Sequence, residues 1–197
     1  MSGQRRIRVE LVEDPANPEV VAIFQKIHAR QINVSAEPGG PPLKVGNIHR
    51  LVANSPQLFA AFVGLADALR SHTEIDPAER ELALLCALDI HGDDYEIMPH
   101  RILAKQYGVT DEMLDKVSDP ESPVFSERQR AVLRFAKLLA TDRDQRSTCK
   151  DPRIEDYLDN RQRIELALNV SCYIGFSRLT DVLDVPREAA FKNLANK

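Results

Sequence analysis

The ten residues HGDDYEIMPH, at positions 91–100, carry the side chains in this sequence that are best suited to chemistry. They include two histidines, His91 and His100, a tyrosine, Tyr95, and a glutamate, Glu96, and they follow the apolar run LALLCALDI. A carboxylate and an imidazole in a partly desolvated pocket can have pKa values near neutrality, as general acid–base catalysis requires. The stretch therefore predicts helix-capping, metal-binding or acid–base residues.

Helix capping is the simplest explanation of two of the carboxylates. Asp93 or Asp94 can accept a hydrogen bond from the backbone amides of a helix that starts after the His-Gly pair, and Glu96, three residues after Asp93, would complete an Asp-x-x-Glu capping box. Pro99 is difficult to place late in such a helix because its ring clashes with the preceding turn. The sequence leaves open whether that helix begins before Pro99 or at it. Capping explains neither Tyr95 nor His100.

A metal site would use Glu96 and His100, which are four residues apart and share one face of a helix, with His91 or Asp93 as a third ligand. The sequence has no H-E-x-x-H motif, however, and no second cluster of ligands to complete a coordination shell. We therefore expect no metal, and we favour the acid–base interpretation.

A further carboxylate, Glu81, lies in the apolar segment AERELALLCAL, which carries it toward the core. The ten residues from Glu81 to His91 span about 15 Å of helix, so only a chain reversal near Gly92 can bring Glu81 close to His100. Spacing does not decide whether Glu81 faces His100 or forms an ion pair with Arg80 or another arginine.

Helical periodicity dominates the chain and predicts an all-α fold. The predicted helices are PEVVAIFQKIHAR, GNIHRLVANS, SPQLFAAFVGLADALRS, DPAERELALLCALDIHG, PHRILAKQYGV, TDEMLDKV, SERQRAVLRFAKLLAT, DPRIEDYLDN and RQRIELALNVSCYIGFSRLTDVLDV. Asp76 as N-cap, Pro77 as first residue and Glu79 as the closing carboxylate predict a capping box at the fourth helix. Only RIRVELVE is suited to an extended arm.

The length of 197 residues predicts one domain over 1–197. We expect an N-terminal arm, helix and Pro/Gly loop over 1–45, a helical core over 46–186 and a C-terminal tail over 187–197. The net charge of −4 argues against nucleic acid as a partner, because phosphate binding needs clustered cations. No apolar stretch is long enough to span a membrane, so we expect no membrane partner.

The three cysteines, Cys86, Cys149 and Cys172, are far apart and form no C-x-x-C pair. They fit neither a secreted disulfide framework nor a zinc ribbon, which favours a reducing cytoplasm. Cys86 and Cys172 lie in apolar helical runs that are typical of buried, inert thiols.

The segment ERELALLCALDIHGDDYEIMPHRILAKQYGVTDEMLDKV resembles the carboxymuconolactone decarboxylase and alkyl hydroperoxidase D superfamily. The shared pattern is an R-E-hydrophobic helix, a short acidic turn, Y-E-x-x-x-H and then L-A-x-x-x-G before the next helix. FSERQRAVLRFAKLLATD and RIELALNVSCYIGFSRLTDVLDV are similar to the later helices of the superfamily. The resemblance implies an all-α bundle built around an antiparallel helical hairpin from Glu81 to Tyr107, and assembly as a trimer or hexamer.

Hydroperoxidase members of this superfamily have a glutamate where Glu81 stands, a C-x-x-C pair where Asp93 and Glu96 stand, and a histidine where His100 stands. Peroxide reduction needs a thiolate nucleophile and a resolving thiol, and carboxylates replace neither. The resemblance therefore points to the branch that lacks the C-x-x-C pair.

The decarboxylase members of the superfamily imply a cofactor-independent lyase that acts on a small carboxylated lactone or a related compound. We expect His100 to act as acid or base, Glu96 as its partner or proton relay, Tyr95 as a hydrogen-bond donor in the pocket and Glu81 as the residue that orients His100. No cofactor is expected, because the lactone carbonyl can accept the electrons of the breaking bond.

Substrate binding is expected to involve Asp93, with Arg80 or Arg101 as a cation for the substrate carboxylate. Two alternatives to a lyase remain open. The chain could be a thiol peroxidase-like redox protein, or a non-catalytic helical oligomer that uses its pocket only for binding.

Overall fold

The computed structural model describes residues 8–31, 45–93 and 95–188. These ranges contain α-helices and two short 3-10 turns but no strand, which confirms the predicted all-α fold. The predicted Pro/Gly loop, Asp94, the first residues of the arm and most of the C-terminal tail lie outside them. The helices are α1 (Pro18–Gln31), α2 (Asn47–Val52), α3 (Pro56–Ser71), α4 (Pro77–His91), α5 (Ile97–Gln106), α6 (Asp111–Asp115), α7 (Glu127–Ala140) and α8 (Asn160–Val182).

Two compact units make up the chain. One, called here the terminal unit, consists of Met1–Ser71 and Leu179–Lys197, and the other, the central unit, is His72–Arg178. Helices α2 and α3 thus group with α1 in the terminal unit, whereas α4 to α7 lie in the central unit. The single domain over 1–197 stays a prediction.

The core of the central unit is built around α4. All residues of α4 from Glu79 to Leu88 are buried, so this helix has no solvent-facing side over most of its length. A helix that is buried on every side must be covered by its neighbours. Helix α4 packs against α5 and α7, and Leu166 and Val170 from α8 belong to the same cluster.

Helices α4 and α5 form the expected antiparallel hairpin. Gly92 ends α4 in the left-handed conformation at φ 73°, and its N–H donates to the carbonyl of Asp89. Arg80, near the start of α4, lies over the ring of Tyr107, which follows α5, with 5.7 Å from its guanidinium carbon to the ring centroid. This contact requires the two helices to run in opposite directions.

The start of α4 agrees with the sequence prediction in part. Asp76 caps the helix, since its side chain accepts hydrogen bonds from the N–H groups of Ala78 and Glu79, and Pro77 is the first helical residue. The carboxylate of Glu79 was expected to close a capping box, but it instead accepts a hydrogen bond from Arg128 Nε at 2.7 Å. Glu79 therefore ties α4 to α7.

The prediction of a helix at DPRIEDYLDN is wrong. This segment contains only a single 3-10 turn, Ile154–Asp156. Arg153 precedes it in the left-handed conformation at φ 47°, which an α-helix cannot include. Asp159 then caps α8 by accepting a hydrogen bond from the N–H of Gln162, so α8 begins at the next residue, Asn160.

The terminal unit has its own small core. Val20, Ile27, Ala53 and Phe59 are buried in it, and the rings of Phe24 and Phe59 meet edge to face at 5.6 Å. Within the ranges that the structure describes, no helix is long and apolar enough to cross a membrane.

Gly92 offers a direct test of the turn between α4 and α5. A Cβ atom at Gly92 would meet no atom within 4 Å, so any cost of Gly92→Ala comes from its positive φ. We expect Gly92→Ala to lower the free energy of unfolding by about 1–2 kcal/mol, the cost of a left-handed alanine. Urea denaturation measures the change.

Gly175, inside α8, is the matched control for this prediction. It also has open space around its Cβ position, but its φ is not positive. We expect Gly175→Ala to raise stability by about 0.5–1 kcal/mol, as replacing glycine inside a helix does. Equal effects of the two substitutions would contradict the account of the turn.

Candidate active site

The chain reversal at Gly92 brings Glu81 of α4 and His100 of α5 together. Nδ1 of His100 lies 2.6 Å from Oε2 of Glu81, a short hydrogen bond between two side chains that are almost fully buried. The hairpin thus supplies the contact that sequence spacing left open.

Glu81 also forms an ion pair with Arg80, so the two possibilities weighed from the sequence are both realised. Arg80 donates from Nε and Nη2 to Oε1 of Glu81 at 3.2 and 3.0 Å. The other oxygen, Oε2, is thereby left for His100. A carboxylate that is 1% exposed needs such partners, because an unpaired buried charge is very costly.

Asp93 determines where α5 begins. Its Oδ1 accepts hydrogen bonds from the N–H groups of Glu96 and Ile97, as the capping interpretation predicts. Its own N–H donates to the carbonyl of Leu88. Since α5 starts at Ile97, Pro99 falls in the first helical turn, where its missing N–H is not needed. A substrate-binding role for Asp93 stays a prediction.

Glu96 lies on the other side of the imidazole from Glu81. Its Oε2 is 3.9 Å from Nε2 of His100, beyond the range of a direct hydrogen bond. A water molecule placed to one side of this contact could hydrogen-bond to both groups. Nε2 is thus the nitrogen of His100 that Glu81 does not hold.

The charges around His100 favour the protonated form of its imidazole. Burial alone would lower its pKa, but the adjacent carboxylates of Glu81 and Glu96 raise the pKa of His100 above its ordinary value of 6.5. Burial likewise favours the neutral form of Glu81, yet His100 and Arg80 hold the pKa of Glu81 below its ordinary value of 4.5. Each group of the pair thus favours the charged form of the other, a property that suits a general acid.

Tyr173 of α8 is a neighbour of His100 that sequence reasoning missed. The two rings meet edge to face, with centroids 4.6 Å apart and planes at 86°. Tyr173 stands in a segment for which the sequence predicts only a helix. Its helical spacing from Leu166 and Val170, which belong to the core cluster of the central unit, was the available signal.

Tyr95 and Arg101 are the remaining candidate residues from the sequence. Tyr95 is buried in the turn between α4 and α5, and its role as a hydrogen-bond donor to substrate stays a prediction. Arg101 does not contact the cluster around His100. Its guanidinium reaches instead to the carbonyl of Leu114 and to Asp115, both at 3.4 Å. The cation beside the cluster is Arg80.

Neither a group of metal ligands nor an exposed reactive thiol accompanies His100 among the described residues. In 8–31, 45–93 and 95–188 no three His, Cys, Asp or Glu side chains are grouped as a metal site requires; the expectation that the protein uses no metal stays a prediction. Cys86 is fully buried, and burial raises the pKa of its thiol to about 12. Burial also raises the pKa of Cys172.

Residues 56–138 match the model of the carboxymuconolactone decarboxylase family. This segment contains the whole hairpin, with Glu81, Glu96 and His100. This part of the chain is therefore similar to the carboxymuconolactone decarboxylase family. The chain lacks a C-x-x-C pair, because Asp93 and Glu96 occupy the positions where the resemblance places the two cysteines.

Several solved structures share the fold of this chain over most of their length. The debrominase Bmp8 has a TM-score of 0.69 at 18% identity, with 91% of each chain covered. A peroxidase-related protein from Silicibacter sp. TM1040 has a TM-score of 0.71 at 16% identity, covering 96% of this chain and 95% of that one. An alkylhydroperoxidase AhpD core protein from Ralstonia eutropha JMP134 has a TM-score of 0.64 at 20% identity, covering 93% and 95%. No curated protein matches the sequence significantly.

The Glu81–His100 pair predicts how stability depends on pH. The raised pKa of His100 contributes stability that is complete below its ordinary value of 6.5 and is lost as pH rises through the folded-state value. The lowered pKa of Glu81 contributes stability that is complete above 4.5 and is lost as pH falls through its folded-state value. We therefore expect the contribution of this pair to be greatest between these two ordinary values.

Urea denaturation midpoints, measured from about pH 5 to about pH 9, test whether stability falls as pH rises and His100 loses its proton. His100→Gln keeps a side chain that can hydrogen-bond to Glu81 but cannot titrate. The alkaline decline attributed to His100 should be absent in that variant. A decline of the same size in the wild type and in His100→Gln would show that other groups cause it.

Proposed function

We propose that the protein is a cofactor-independent acid–base enzyme that acts on a small carboxylated lactone or a related compound, with His100 as its general acid. The observation that carries the proposal is the buried hydrogen bond of 2.6 Å between Glu81 and His100. It holds Nδ1, maintains the charge of the imidazole and leaves Nε2 to face a substrate. The superfamily supplies the reaction class.

The proposed reaction needs only proton handling by the protein. The bond between the ring carbon and the substrate carboxylate breaks, CO2 leaves, and the electron pair moves into the conjugated lactone carbonyl. The resulting dienolate takes a proton at carbon from Nε2 of His100. The neutral imidazole then regains a proton from solvent through Glu96. The net change exchanges CO2 for one proton, so no oxidant or reductant is required.

Charge balance at the site supports this role. Arg80 and protonated His100 carry two positive charges, which offset the carboxylates of Glu81 and Glu96. A buried network of this kind is not explained by stability alone, since replacing buried ion pairs with apolar residues is often neutral or stabilising. Strongly shifted pKa values at buried groups are typical of functional sites. These points favour an enzyme over a non-catalytic scaffold.

A thiol peroxidase is the alternative suggested by the descriptions of the structural neighbours. Its nucleophile would have to be a thiolate. Burial holds the pKa of Cys86 at about 12, and it also raises that of Cys172. These thiols are poorly suited to attack a peroxide, so the acid–base function is preferred.

The loss of the conjugated lactone, followed by UV absorbance with carboxymuconolactone as the probe, tests the proposed function. We expect His100→Ala to lower kcat by about 10²-fold or more, the usual contribution of a general acid. Cys86→Ser is the control and should retain turnover, because the thiol takes no part. Full activity of His100→Ala, or loss of activity in Cys86→Ser alone, would reject the proposal.

The pH profile of the same assay tests the part played by Glu81. Turnover should decline as pH rises through the raised pKa of His100, because the imidazole then loses the proton that it donates. Glu81→Gln removes the principal charge that raises this pKa, so the decline should begin at lower pH. An unchanged pH profile in Glu81→Gln would show that Glu81 does not set the pKa of the group that donates the proton.

We also propose that the protein self-associates, as the resemblance to trimers and hexamers implied. Ile164 and Leu168, 62% and 53% exposed, lie one turn apart on the same face of α8. Apolar side chains so exposed on one helix face suit contact with a second copy. Light scattering should show a mass above 22.2 kDa.

The double substitution Ile164→Glu and Leu168→Glu should lower the measured mass toward that of one chain. Leu58→Glu, at a leucine that is 66% exposed on α3, is the comparison variant and should leave the mass unchanged. A single-chain mass for the wild-type protein would contradict self-association.

A further inference from the structure

Tyr173 contacts His100 from an element outside the hairpin and outside residues 56–138, the segment that the family model matches. It is carried by α8, and its ring meets the imidazole at 4.6 Å with the planes at 86°. On the same face of α8, Phe176 packs against Tyr173 with ring centroids 5.4 Å apart. Tyr173 thus contacts the imidazole, and Phe176 contacts Tyr173.

The hydrogen bond to Glu81 does not fix the orientation of His100 by itself. It holds one ring atom, Nδ1, but the imidazole can still tilt about that bond. Such a tilt moves Nε2, which lies across the ring, relative to a substrate. A second ring packed perpendicular to the first restricts the tilt, because edge-to-face packing has a preferred geometry.

We propose that Tyr173 is a positioning residue, which holds the plane of the His100 imidazole so that Nε2 is aimed at the substrate carbon. This inference rests on the proposed acid role of His100. The ring of Tyr173 carries the effect, and Phe176 supports that ring from the next turn of α8. Glu81 sets the charge and the anchoring of the imidazole, whereas Tyr173 sets its direction.

Two substitutions distinguish the effect of the Tyr173 ring from the effect of its hydroxyl group. Tyr173→Phe keeps the ring, and Tyr173→Met fills the space without a ring. We expect Tyr173→Met to lower kcat by about tenfold, because a small misalignment of a catalytic group costs at least that much. KM should stay within about twofold, and the alkaline decline should stay at the same pH, since Glu81 still supplies the charge. Tyr173→Phe should behave as the wild type does.

Three kinetic outcomes would overturn the proposal. Full kcat in Tyr173→Met would mean that the ring does not position the acid. Equal losses in Tyr173→Phe and Tyr173→Met would assign the effect to the hydroxyl group. A higher KM with unchanged kcat would make Tyr173 a binding residue instead.

NMR of the His100 ring protons tests the contact without any turnover. The ring current of Tyr173 should displace their resonances, and this displacement should be lost in Tyr173→Met but kept in Tyr173→Phe. Unchanged His100 resonances in Tyr173→Met would overturn the inference. If the wild-type protein consumes no lactone, the proposed function fails, while this comparison still decides whether the Tyr173 ring contacts the imidazole in solution.

Discussion

The site depends on one buried carboxylate whose two oxygens serve different partners. Arg80 occupies one oxygen of Glu81 and His100 the other. Neither partner alone would suffice, because Arg80 without His100 would leave an unsatisfied oxygen, and His100 without Arg80 would face a carboxylate with a higher cost of burial. The hairpin of α4 and α5 is the geometry in which all three groups meet away from water.

Features fixed by neighbouring residues were predictable from the sequence. Asp76 caps α4 as its spacing indicates, because a cap involves only atoms within one turn. The positive φ of Gly92 follows from its place after an apolar helix. The helix expected at DPRIEDYLDN is absent because Arg153 is left-handed, and composition does not reveal such a residue.

Contacts between distant parts of the chain were predictable only where a short turn joins them. Glu81 and His100 were named as candidates, but their meeting depends on the direction in which α5 leaves the turn. Tyr173 comes from α8, and its approach to His100 depends on how α8 packs into the core of the central unit. Spacing gives the face of a helix on which a residue lies, but not the neighbour which that face meets.

Asp93 has a consequence for any attempt to introduce a C-x-x-C pair at positions 93 and 96. Its Oδ1 holds the first two amides that lead into α5, the helix that carries His100. A thiol is a weak acceptor and would not replace this oxygen. Cysteines at these two positions would therefore loosen the start of the helix that orients the imidazole. Installing a thiol pair in this chain would need compensating changes along the turn.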